Sequence, residues 1–267
     1  MTQHSVDDLE SEGSSFYRAA MKHLCAAQIP FLVGGAYALE SHTGIVRRTK
    51  DFDIFTLAAD APRILNVLAQ AGYRTELTFP HWIGKAFCGE DFIDVIFASG
   101  NGICPVDDEW FANAVEGQVL GLALQLCPVE ESIWQKAFIL ERDRCDVADV
   151  AHLLRHCGKR LDWPRLLRRF GRRWRVLLAQ LTLFEFIYPS HRDAVPRWVM
   201  DELVSRLQSD SHALPSEDRE CHGTLLSATQ YLRDIDLEGY RDARLEPLGR
   251  MTRHEIAIWT ANFMKPK

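Results

Sequence analysis

A mixed α+β domain followed by an all-α domain is the fold class that the sequence predicts, on three observations. Between residues 31 and 98, short apolar runs alternate with turn residues and helix-like stretches, the pattern of a mixed β-sheet with flanking helices. Cys127-Pro128 then marks a boundary. Beyond it, apolar residues return at helical spacing over 130–154, 176–187, 195–207 and 225–237. The expected domains are therefore 1–128 and 129–267.

The elements follow in order. Phe16, Ala19, Ala20, Leu24 and Ala27 repeat at helical intervals after Ser14-Ser15, an amphipathic helix leading into the first strand. Phe31-Leu32-Val33 is short and apolar enough for a buried strand; Gly34-Gly35 breaks it, and Ala36 to Glu40 starts a helix. Thr49 to Phe55 alternates polar and apolar residues, as a half-buried strand does. Asp60 with Pro62 opens a helix over 63–71 that Gly72 ends. Strand-like runs occupy 73–79, 82–88 and 92–98, a helix lies around 107–114, and 120–126 reads as a strand. Glu130 begins a long helical tract that continues through Leu154, and 209–220 is a polar linker between later helices.

Composition narrows the class of protein. With 267 residues and 47% hydrophobic content the chain can bury a substantial core. No run approaches the length of a membrane span and residues 1–13 lack the apolar core of a signal peptide, so the cytoplasm is the expected location, without a membrane partner. The seven cysteines are scattered without a Cys-x-x-Cys pair, which argues against a disulfide framework or a zinc site. A net charge of −6 argues against wholesale nucleic-acid binding. Locally the balance reverses: Arg155, Lys159, Arg160, Arg165, Arg168, Arg169, Arg172, Arg173 and Arg175 face the single acid Asp162. Such a face is usually only solvated, but it could form a track for phosphates, with Trp163 and Trp174 either stacking bases or lying in the core.

The chemistry gathers between Phe31 and Asp53. Glycines at a strand-to-helix turn let backbone N–H groups approach a ligand, and a helix N-terminus favours negative charge, so Gly34-Gly35 suits a phosphate. Asp51 and Asp53 share one face of their strand, because side chains alternate across a sheet. Two carboxylates held that close favour a hard divalent cation between them; the plainer reading is the wet face of an edge strand. Asp94 interrupts the apolar run Phe92 to Phe97, as either a third ligand or the partner of an arginine. Lys136 emerges from an apolar strip with Ile133, Ile139 and Leu140; it either snorkels to solvent or serves a phosphate. Asp146 could simply cap the helix that follows it.

The order Gly34-Gly35, Arg47-x-Thr49-x-Asp51-x-Asp53 and then a further acidic strand residue resembles the nucleotidyltransferase superfamily with the DNA polymerase β-like fold. Its pairing of Gly34-Gly35-Ala36 with that second block is most similar to the bacterial branch that includes AbiEii-type toxin nucleotidyltransferases. A lysine followed by Arg-x-x-x-Asp-x-x-Asp, here Lys136, Arg142, Asp146 and Asp149, resembles the same branch. The resemblance implies transfer of a nucleotidyl group from a nucleoside triphosphate with Mg²⁺ or Mn²⁺ held by Asp51, Asp53 and Asp94, Asp91 standing in reserve. It further implies that Gly34, Gly35, Arg47, Thr49 and Arg142 meet the nucleotide, and that Lys136 and Asp146, or Asp149, complete the site. The expected acceptor is RNA such as tRNA, bound through 155–175; a protein hydroxyl and an aminoglycoside-type small molecule are the alternatives. A non-catalytic nucleotide-binding protein of the same fold is a further reading, against which the presence of all three carboxylates weighs. Both motif blocks fall within residues 30 to 155, so the last third of the chain lies outside the resemblance.

Overall fold

The computed structural model describes residues 12–47, 49–211 and 217–263. Its centre is a seven-stranded mixed sheet, built as the chain passes from α1 (Glu12–Ala26) through β1 (Leu32–Val33), α2 (Gly35–Thr43), β2 (Asp51–Phe55) and α3 (Ala61–Gln70). Then come β3 (Arg74–Phe79), β4 (Ile83–Cys88), β5 (Asp91–Ile96), α4 (Asp108–Ala112), β6 (Val115–Val119) and β7 (Leu122–Leu126). The strand order is β3-β4-β5-β2-β1-β7-β6, with β2 parallel to β5 and β1 parallel to β7.

Period-two alternation gives each face of the sheet its own core. Phe52, Ile54, Ile93 and Val95 point to one side and are buried with Phe16, Met21 and Leu24 of α1 and Ile64 and Leu68 of α3. Phe55, Ile83 and Ile96 point to the other side, into a core shared with the helices that follow. These are α5 (Val129–Lys136), α6 (Val147–Cys157), α7 (Trp163–Phe170), α8 (Trp174–Ile187) and α9 (Arg197–Ser211). The helical part is thus packed onto the sheet through one continuous apolar cluster. No helix of the described residues is long and apolar enough to cross a membrane.

Four elements differ from the sequence expectations. The tract 130–154 is not one helix: it breaks after Lys136 and turns through a bridge between Leu140 and Cys145 before α6 begins. The backbone finds better partners elsewhere, since Leu140 N–H donates to Leu226 O at 3.0 Å and the Glu141 carboxylate takes the Ser227 hydroxyl and the Ala228 N–H. Tertiary bonding of this kind overrides helix propensity. β6 is an additional strand, a largely exposed edge whose sequence VEGQV carries no apolar alternation. The stretch 225–237 is helical only as a 3₁₀ turn and the short α10 (Leu232–Asp236). The small parallel pair β8 (Glu220–Cys221) and β9 (Arg241–Asp242) brackets α10, and α11 (Arg253–Phe263) is the last element of the described residues. α9 extends into the expected linker as far as Ser211, and 212–216 lie outside the described residues.

Candidate active site

Three carboxylates converge because two parallel strands are in register. Asp53 on β2 pairs with Asp94 on β5, which pairs in turn with Lys85 on β4. Asp51, two residues before Asp53, shares its face, and one oxygen from each of Asp51, Asp53 and Asp94 lies within 4.8 Å of the others. Asp94 accepts a hydrogen bond from Lys85 Nζ at 2.5 Å, and Asp51 accepts one from the Thr49 hydroxyl. Among the described residues no cation or donor is paired with the Asp53 carboxylate. Burial, followed by the charges of Asp94 and Asp51, pushes its pKa up to about 7. Burial also raises the Asp94 carboxyl, with Lys85 opposing the shift. An all-oxygen donor set with one carboxylate left uncompensated fits a hard divalent cation.

The glycine pair puts the N-terminus of α2 directly against this cluster. Gly35 has φ +54°, and a Cβ there would lie 1.8 Å from Asp53 Oδ2; one at Gly34 would lie 2.2 Å from the Phe55 ring. Of the two, Gly35 lines the cavity above the carboxylates. Gly35→Ala should therefore push Asp53 out of place and introduce left-handed strain, lowering stability by about 1–3 kcal/mol. Chemical denaturation checks this, and an unchanged midpoint would mean that the helix start can retreat from β2. Arg47 and Thr49 lie on the segment entering β2, which Tyr17 anchors by donating its hydroxyl to Lys50 O at 2.9 Å. Neither lines that cavity: Thr49 bonds Asp51, and Arg47 pairs with Asp149 across to α6.

Lys136, at the last turn of α5, faces the carboxylates from the opposite wall. It does not snorkel: its side chain is only 12% exposed and donates to Asp146 Oδ2 at 2.9 Å and Asp149 Oδ2 at 2.7 Å. Asp146 occupies the position before α6 but makes no side-chain cap bond there, because its oxygens are engaged with Lys136 and Arg144. Burial works against the Asp146 charge, yet Lys136 and Arg144 together hold its pKa below the usual carboxylate value. Arg142 and Arg144 are both exposed, but of the two only Arg144 lines the cavity. The turn that replaces the expected helix causes this exchange. Partial desolvation disfavours the Arg144 charge, but Asp146, Asp53 and Asp51 outweigh it and raise the guanidinium pKa. Arginine and glutamate are good helix formers, so the run Glu141-Arg142-Asp143-Arg144 carries no local signal that favours Arg144 over Arg142.

The cavity between the two walls has a volume of about 410 Å³. Its carboxylate end is as described; its other end is apolar, with Trp82, Phe138, Leu225, Leu226, Trp259 and Phe263. The cations of 155–175 lie elsewhere and are largely paired. Arg165 is buried against Glu130 and Glu131, and Arg169 makes a two-pronged bond to Asp107 at 2.6 and 2.8 Å and a third to Glu131 at 3.1 Å. Lys159, Arg168 and Arg175 pair with Asp193, Glu109 and Asp210. Trp163 and Trp174 are core residues.

No family model matches this chain, and no curated protein does. Solved structures with a similar fold include the antibiotic-resistance factor ANT(2'')-Ia, at 16% identity and a TM-score of 0.44, covering 61% of this chain and 94% of that one. The lincosamide antibiotic adenylyltransferase LnuA is similar at 15% identity and 0.39, covering 54% and 96%. An antigenic nucleotidyltransferase-like protein from Paracoccidioides brasiliensis is similar at 15% and 0.41, covering 70% and 95%.

Proposed function

We propose that this chain is a metal-dependent nucleotidyltransferase that moves a nucleotidyl group from a nucleoside triphosphate to an acceptor hydroxyl. The observation that carries this reading is the convergence of Asp51, Asp53 and Asp94 on one wall of a cavity whose facing wall presents Lys136 and Arg144. Mg²⁺ or Mn²⁺ held by the three carboxylates would neutralise triphosphate charge and polarise the phosphorus under attack. The chain supplies the rest. The backbone N–H groups at the start of α2 are placed beside the carboxylates, where they can receive a phosphate. Lys136 and Arg144 offer positive charge to the triphosphate from across the cavity, and Asp146 and Asp149 hold Lys136 in that position. A carboxylate of the cluster accepts the proton of the acceptor hydroxyl.

Calorimetric titration with each nucleoside triphosphate, with and without Mg²⁺, tests the site. Binding should require the metal, and equal affinity in both conditions would overturn the proposal. Metal uptake should also displace a proton, because Asp53 titrates at about pH 7 before the ion binds. Mg²⁺ affinity should thus be nearly constant above pH 8 and fall about tenfold per unit below pH 6. A pH-independent affinity would show that Asp53 is not a ligand.

A further inference from the structure

We infer that the apolar end of the cavity is the acceptor subsite, and that the acceptor is a small molecule carrying a hydroxyl on a planar or apolar body. This inference rests on the nucleotidyl-transfer reading and specifies its second substrate.

The floor of the cavity changes character along the strands. Lys85, Asp94 and Asp53 form one row across β4, β5 and β2; Ile83, Ile96 and Phe55 form the row two residues farther along, in the same register and on the same face. Two residues of strand span about 7 Å. A molecule whose hydroxyl sits at the carboxylate row therefore lays its body over the apolar row. The last part of the chain walls in that space. Asn101 donates to Leu225 O at 2.6 Å, which holds Leu225 and Leu226 beside the end of β5. Gly100 has no side chain where Trp259 lies, since a Cβ there would come within 2.8 Å of the indole. Phe263 stands edge-on to Trp259 with ring centroids 5.8 Å apart.

Size and charge both favour a small acceptor over a polyanion. The whole cavity, its carboxylate end included, has a volume of about 410 Å³, which leaves room beside the reacting phosphates for a small molecule and not for a length of polymer. Among the described residues, Asp51, Asp53, Asp94, Glu141 and Asp143 line it, against the two cations Lys136 and Arg144. A nucleic-acid strand gains affinity by exchanging counterions for protein cations, and five of the nine in 155–175, namely Lys159, Arg165, Arg168, Arg169 and Arg175, are already paired with carboxylates.

In the reaction the acceptor oxygen bonds to the α-phosphorus and the bond from that phosphorus to the β-phosphate bridging oxygen breaks. Pyrophosphate leaves with that electron pair, and the hydroxyl proton passes to a carboxylate of the cluster and then to water.

The test incubates the full chain with Mg²⁺, each α-³²P-labelled nucleoside triphosphate and one of three probes: 2-naphthalenemethanol, glycerol or total tRNA. Label should enter the naphthyl ester at least about tenfold faster than the glycerol ester, and should not enter RNA. Phe263→Ala and Leu226→Ala, at exposed and half-buried positions, should each bring that preference close to unity while calorimetry shows the Mg²⁺-triphosphate affinity nearly unchanged. Label in RNA, or a preference that survives both variants, overturns the inference. A large loss of triphosphate affinity in the variants would make this end the nucleobase pocket, which also overturns it. Triphosphate binding with no probe labelled rejects the acceptor class alone, whereas failure of the triphosphate to bind with Mg²⁺ rejects nucleotidyl transfer itself.

Discussion

Asp53→Asn should abolish transfer and yet make the metal-free protein more stable at pH 8. The two effects share one cause. A carboxyl whose pKa is raised from the usual value near 4 to about 7 favours its protonated form when folded. Its contribution is fully present below about pH 4 and is lost as the pH rises through 7. The asparagine variant, uncharged throughout, loses nothing over that window. The gap between the two proteins should therefore open between pH 4 and 7 and stay constant above. We expect roughly 2 kcal/mol, less than full linkage because one side of the carboxylate faces cavity water, or about 4–8 °C in melting temperature. Saturating Mg²⁺ should raise the parent and leave the variant where it was. Transfer should drop by about a thousandfold or more, as for loss of a group that stabilises the transition state. If the variant melts below the parent at pH 8 without metal, Asp53 is not an uncompensated charge and the main argument for a cation there fails.

Lys136→Met should cost stability as well as activity. The methionine keeps the unbranched stem but leaves Asp146 and Asp149, both buried, with one cation fewer. Stripping a partner from a buried ion pair costs about 3–5 kcal/mol. Arg144 still bonds Asp146 and Arg47 still pairs with Asp149, so about 2–4 kcal/mol is expected here. Adding Asp149→Asn should restore part of that loss without restoring transfer, which separates the two roles of the lysine. The acid limb shifts too. Asp146 is held below its ordinary pKa, so its contribution is present above about pH 4 and vanishes as the pH falls through the folded value. With Lys136 gone that value rises, and acid unfolding should begin at a higher pH. A denaturation midpoint that does not move would mean that Lys136 lies in solvent.

How much of this could be read beforehand depended on whether the deciding contact was local. Alternation within β2 and within β5 placed Asp51, Asp53 and Asp94 on faces that the sheet then joined, since period two is a property of the strand alone. Gly35 was legible for a similar reason, as a turn residue between an apolar run and a helix start. The break after Lys136 was not legible: the bonds that hold it come from residues 226–228, nearly ninety positions away. With it went the choice between Arg142 and Arg144. The strand β6 was missed because Val119 is the one buried residue of this edge strand, so its sequence shows no apolar alternation. The arginine-rich stretch shows a different limit, since composition counts charges but not the distant carboxylates, such as Asp107 and Glu131, that claim them.

The wall over the apolar row has a consequence for the order in which the molecule becomes whole. The carboxylates are in place once β2 and β5 pair, but the cavity closes only through contacts such as that between Asn101 and Leu225, 124 residues apart. Contacts of such long range form late and are slow to nucleate. A chain emerging from the ribosome therefore carries its acidic cluster, faced by the wall that α5 supplies, while the apolar row beside it is still uncovered. Until residues 225–263 have been made and folded back, the apolar row beside that cluster would face bulk water.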